Sequence, residues 1–172
     1  LLLLLDVWPL RRLEPDWSAI KRNLPGLLRE KIPLFAVSLV FVIVTWRAQT
    51  AAGAITAPGD GVESKILRLA DNYGFYLGKF FWPDALNVLY PTIPVSAARS
   101  CAVILSMIAV SFAVWRWRRQ QPWLLVGWLW FVGLLVPVIG VVPIGSTWVA
   151  DRYSYLPGIG LAVLGAWTLQ TW

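Results

Sequence analysis

The run from Trp123 to Val142, WLLVGWLWFVGLLVPVIGVV, limits what this chain can become more than any other stretch. A hydrocarbon core of roughly 30 Å is crossed by about 20 apolar residues in a helix. The run is long enough, and Trp123 stands at its entry, where an indole suits the headgroup layer. Pro137, Gly140 and Pro143 interrupt its far half before the chain reaches Asp151-Arg152-Tyr153-Ser154-Tyr155. The alternative, a buried helix in a large soluble core, conflicts with the composition. Only 14% of residues are charged, against roughly 25% in soluble domains.

The other apolar stretches fit the same reading. Pro33 to Gln49 and Ala97 to Trp115 are predicted spans, and Leu156 to Trp172 is predicted as the outer part of another. Leu1 to Leu5 reads as the tail of an upstream span, because it has no basic leader and no small-residue cleavage site. The chain is therefore expected to be an internal piece of a larger membrane protein. Ser and Ala in 97–115, and Gly158, Gly160 and Gly165 in the last span, suit close helix contacts. The predicted fold is an all-α polytopic transmembrane bundle of about four spans plus that upstream tail.

Between the spans, Asp6 to Lys31 is polar and basic, and Pro9, Pro15 and Pro25 are expected to keep it from forming one long helix. Its charges read as a solvated juxtamembrane loop, with Lys31 and Arg47 able to snorkel from the ends of the short first span. Asp60 followed by Glu63 has the spacing of a capping box. It would open an external amphipathic interfacial helix over Gly61 to Trp82. On that helix Lys65, Arg68, Asn72 and Lys79 are predicted to line one face, opposite Ile66, Leu69, Tyr73, Tyr76 and Phe80.

Charge orients the set. With Asp6–Lys31 and Arg116–Gln121 cytoplasmic, short inner loops carry nine of fifteen Lys/Arg, in line with the positive-inside tendency. Thr50–Pro94 and Gly140–Leu156 are then external, and their basic residues need a reason to be there. Absence of His removes imidazole acid–base and metal chemistry, and the single Cys101 allows no disulfide within the chain. A net charge of +6 is met by flanking charges and does not call for nucleic acid.

Four external constellations can carry chemistry. Arg152 offers a planar fork for phosphate oxygens, with Asp151 to orient it or to ligate a divalent cation and Tyr153 beside it. An Asp–Arg pair with interfacial Tyr anchors is the structural alternative. Lys79, with Arg68 and Lys65, is a second basic group facing the headgroup layer, or simply a solvated stripe. Trp82-Pro83 with Tyr90-Pro91 suits an aromatic anchor or a sugar platform. The carboxylates Asp60, Glu63, Asp71, Asp84 and Asp151 show no close catalytic spacing and no metal motif.

The phrases LDVWPLRRL, REKIPLFAVS, YGFYLGKFFWPDALNVLYP and LLVGWLWFVGLLVPVIGVVPIGSTWVADRYSYLPGIGL occur in this order. In this the chain resembles bacterial multi-spanning glycosyltransferases with tetratricopeptide repeats, relatives of the transmembrane and tetratricopeptide-repeat protein O-mannosyltransferases. The resemblance covers almost the whole chain, and VGWLWFVGLLVPVIG followed by ADRYSYLP is its most specific part. It implies a C-type glycosyltransferase fold in the bacterial inner membrane, with its site facing the periplasm. The donor would be a polyprenyl-phosphate sugar, mannose or a similar hexose, and the acceptor a protein. The acidic catalytic motif would precede residue 1 and the repeats would follow Trp172, so no catalytic residue is carried over. Asp151, Arg152, Tyr153 and Lys79 are the donor-phosphate candidates. A non-enzymatic membrane scaffold, a transporter segment, and another lipid-linked glycan enzyme such as a ligase or polymerase remain the alternatives.

Overall fold

The computed structural model describes residues 2–12, 17–53, 61–84, 86–87, 90, 95–140 and 149–170. They form six helices: α1 (Leu2–Val7), α2 (Trp17–Ala51), α3 (Val62–Phe81), α4 (Ala97–Trp117), α5 (Pro122–Leu135) and α6 (Tyr155–Gln170). A 3-10 turn at Asp151–Tyr153 leads into α6, and there is no strand among the described residues. The all-α expectation holds.

Only α4 among the described residues is one helix long and apolar enough to cross a membrane. Its 21 residues rise about 31 Å. The predicted 123–142 span is shorter as a helix: α5 stops at Leu135 after 14 residues, about 21 Å. Pro137 ends it because proline has no N–H for the ladder, while Val136 before it still keeps helical angles (φ −47°, ψ −50°). Val138 and Ile139 N–H both turn back onto the Leu135 carbonyl, and Gly140 leaves with φ +97°. Residues 141–148, 171–172 and Asp60 lie outside the described set. The described α3 starts from Gly61, which supplies no side-chain cap.

The second departure is α2. Pro25 and Pro33 sit inside a single 35-residue helix, where loop and span were expected to be separate. Each proline removes one ladder bond, and the bonds on either side carry the helix through. From Leu34 to Trp46 every large apolar side chain is exposed. Lys31 is no snorkelling end group, since its ammonium lies 2.5 Å from the buried Asp6 carboxylate. Arg12 reaches that carboxylate at 3.4 Å and forks onto Glu30 at 2.9 Å. Part of the supposedly solvated loop is thus a buried clasp between α1 and α2.

The packed centre is the antiparallel pair α5 and α6. Gly127 and Gly160 cross there: a Cβ built on either lies 2.5 Å from the other's carbonyl oxygen. A Cβ built on Gly158 would lie 3.6 Å from the Phe80 ring, whereas one on Gly165 would meet nothing within 4 Å, so only two of the three small residues serve packing as expected. Trp128 Nε1 donates to Ser111 Oγ of α4 at 2.9 Å.

α3 lies over one end of these helices. Asn72 donates to the Ile139 carbonyl at 2.8 Å and Tyr73 to the Val132 carbonyl at 3.0 Å. The buried Asp71 side chain accepts from Arg99 and Ser100 in the first turn of α4. Asn72 therefore belongs to the buried face and not to the basic one. It stands four residues from the fully buried Tyr76, in the same row of the helix.

Two consequences are measurable in the full-length protein. Gly160→Val should cost about 1–3 kcal/mol by overpacking the crossing, while Gly165→Ala should leave the detergent-solubilised Tm unchanged or raise it. Secondly, the Arg99 hydrogen bond, helped by Ser100 and opposed by burial, holds Asp71 below its ordinary 3.8. A depressed carboxyl contributes stability above its unfolded value and loses it as pH falls through the folded one. Asp71→Asn should therefore lower Tm at neutral pH and converge with the wild type once pH drops through that lowered value.

Candidate headgroup cleft

One face each of α3 and α6 forms a cleft of about 380 Å³ at the end of the bundle covered by α3. Tyr76, Lys79, Phe80 and Pro83 supply one wall and Tyr155, Gly158, Ile159 and Ala162 the other. Tyr76, Lys79 and Phe80 of α3 and all four α6 residues follow the i, i+3, i+4 spacing that places side chains on one side of a helix, and Pro83 stands just past the end of α3. Phe131 of α5 also lines it, and Asp151 and Ser154 sit at the turn into α6.

Tyr76 fixes that turn to α3. Its phenol oxygen accepts from Ala150 N–H at 3.1 Å and lies 3.4 Å from the Ala150 carbonyl. Burial pushes its pKa up to about 12, so it stays a neutral phenol. Ser154 Oγ donates to the Asp151 carbonyl at 2.6 Å, closing the 3-10 turn.

The Asp151 carboxylate is held by Tyr90 and not by Arg152. The Tyr90 hydroxyl lies 2.9 and 2.8 Å from its two oxygens, and Asn87 N–H donates to Oδ2 at 2.8 Å. Tyr90 is raised above its ordinary value, first by burial and then by the adjacent carboxylate. Lys79 bonds the Asp84 carboxylate at 3.1 Å as well as the Asp84 carbonyl, and its ammonium lies 5.7 Å from the Phe75 and Tyr90 ring centres. Desolvation opposes its charge, but Asp84, Tyr90 and Asp151 raise it above its ordinary value.

The predicted candidates thus separate. Lys79 and Asp151 share the cleft, and Tyr90 stands against Asp151. Arg152 is exposed: its guanidinium lies 4.9 Å from the Tyr153 ring centre and donates to that phenol at 3.2 Å. Trp82 is exposed just past α3. Arg68 and Lys65 lie along α3 some 17 and 21 Å before Lys79 at 1.5 Å per residue, and neither lines the cleft. The wall residues Phe131, Gly158, Ile159, Ala162 and Leu86 were not singled out from sequence. The spacing of Tyr155, Gly158, Ile159 and Ala162 was visible, but which face of α6 meets α3 was not. Among the described residues no three acidic or Cys side chains gather as a metal site.

No family model, curated protein or solved structure matches this chain.

Tyr76→Phe should destabilise the protein by about 1–3 kcal/mol by leaving the buried Ala150 N–H without its acceptor. Thermal unfolding in detergent would measure this, with the exposed Tyr155→Phe expected to stay within about 0.5 kcal/mol of wild type.

Proposed function

We propose that this chain is part of the membrane domain of a glycosyltransferase that moves a hexose from a polyprenyl phosphate to protein on the external face. The observation carrying this reading is the cleft itself. It joins apolar and aromatic walls to an ammonium and a carboxylate, and the exposed Arg152 guanidinium stands one residue from Asp151. Amphiphilic donors with a phosphate and a polyol head ask for that mixture. The quoted phrases that resemble the tetratricopeptide-repeat glycosyltransferases add to it.

In this reading the chain is multi-pass, in a bacterial inner membrane with the cleft toward the periplasm. α4 crosses the bilayer, the α5–α6 pair packs beside it, and the exposed apolar half of α2 faces acyl chains. Arg152, which touches no carboxylate among the described residues, takes the donor phosphate and stabilises charge as that group leaves. Lys79 assists once it exchanges Asp84 for phosphate. The group that activates the acceptor comes from upstream of residue 1. A non-enzymatic scaffold is the second reading. It is favoured by the fact that Lys79 and Asp151 already have protein partners, as structural charges do.

Transfer from polyprenyl-phosphate hexoses to protein, in membranes holding the full-length protein, separates the two. Arg152→Ala should lower turnover by about 100-fold, the scale of losing one charge-stabilising donor, with insertion unchanged. Unchanged turnover would remove Arg152 from the site, and no transfer by correctly inserted wild type would favour the scaffold.

A further inference from the structure

Asp151 is an unusual group to find in a phosphate-donor cleft, and its surroundings say what it can recognise. A carboxylate has about four acceptor positions. Tyr90 and Asn87 donate to it, and Asp151 itself lines the cleft. The one ammonium on that wall, Lys79, is bonded to a second carboxylate, Asp84. Two carboxylates therefore face one ammonium. Phe80, Phe131 and Tyr155 add aromatic surface against which the C–H faces of a pyranose can lie.

We propose that Asp151, held in place by Tyr90, is a specificity residue. It accepts hydrogen bonds from hydroxyls of a neutral sugar and rejects a sugar that carries its own carboxylate. This rests on the transferase reading above and adds to it the class of sugar. The physical basis is asymmetric. Neutral hydroxyls gain charge-assisted bonds to the carboxylate, whereas a uronate places a like charge in the same partly enclosed space. Tyr90 acts as a positioning residue, because its phenol spans both carboxylate oxygens and leaves the group one orientation. Arg152 is exposed and meets the phosphate, so the phosphate and the sugar are recognised by separate groups.

The experiment compares polyprenyl-phosphate mannose with polyprenyl-phosphate mannuronic acid, using full-length wild type, Asp151→Asn, Asp151→Glu and Tyr90→Phe. Wild type should favour the neutral donor by about tenfold or more in kcat/KM, the scale of one close like-charge contact. Asp151→Asn should reduce that ratio to within about threefold by raising uronate use, Asp151→Glu should keep it, and Tyr90→Phe should fall between. If Asp151→Asn abolishes transfer altogether, equilibrium binding of the two donors reads the same ratio. A ratio that Asp151→Asn leaves unchanged, or equal use of both donors by wild type, overturns the assignment. Wild type that neither binds nor transfers either donor overturns the transferase reading itself, and this assignment with it.

Discussion

The crossing of Gly127 and Gly160 is the contact on which the rest of the packing depends. No side chain separates the α5 and α6 backbones there, because a Cβ on either would lie 2.5 Å from a carbonyl oxygen. Where apolar surface gains little by leaving a lipid phase, helix association rests on such close van der Waals approach. The crossing sets Phe131 of α5 beside Ile159 of α6 in one cavity wall. It also brings Trp130 Nε1 within 2.9 Å of the Leu156 carbonyl at the start of α6. The indole there adds a second donor to a carbonyl of the first turn of α6 and ties the two helices together.

α3 locks the end of this pair by hydrogen bonds to backbone and not by charge. Asn72, Tyr73 and Tyr76 reach Ile139, Val132 and Ala150, all beyond or near the point where α5 stops. Only Ile139 lies where proline and glycine interrupt the ladder and leave a carbonyl open to Asn72. The Ala150 carbonyl already accepts from Tyr153 N–H at 3.0 Å, and it is the Ala150 N–H that Tyr76 satisfies. Buried polar groups on the neighbouring helix thus answer the Ile139 carbonyl and the Ala150 N–H. The Pro137 break therefore does more than shorten a helix: it creates the acceptor that seats α3.

Charge is distributed by the same economy. Asp6 and Lys31 are both buried, which is tolerable because they are paired and Arg12 also reaches Asp6. Removing one partner of such a pair leaves an uncompensated buried charge, so its worth lies in fixing one arrangement of α1 and α2 more than in net stability. At the opposite end, Lys79 is paired with Asp84 and Asp151 with Tyr90. Asp84 can be exchanged for a ligand at modest cost, because its side chain is 67% exposed, whereas Tyr90 stays on Asp151.

Much of the helix pattern was legible without coordinates. Runs of apolar residues fix helices through their backbone bonding and composition, and those are local properties. The α4 span and the α3 helix follow from them. The candidates Arg152, Asp151, Tyr153 and Lys79 were likewise nominated from local charge, and of these the structure places Lys79 and Asp151 in one cleft. The bounds of α2 and α5 were missed because a proline's effect depends on the helix around it: Pro25 and Pro33 were absorbed and Pro137 was not. The grouping within the site was likewise a tertiary matter. Asp151 adjoins Arg152 in sequence, yet its carboxylate meets Tyr90, 61 positions away, because the α5–α6 crossing and the Tyr76 bond to Ala150 bring the start of α6 under the end of α3. Sequence determined which residues form helices and which bear charge. Only the packing of one helix face on another decided which charges meet.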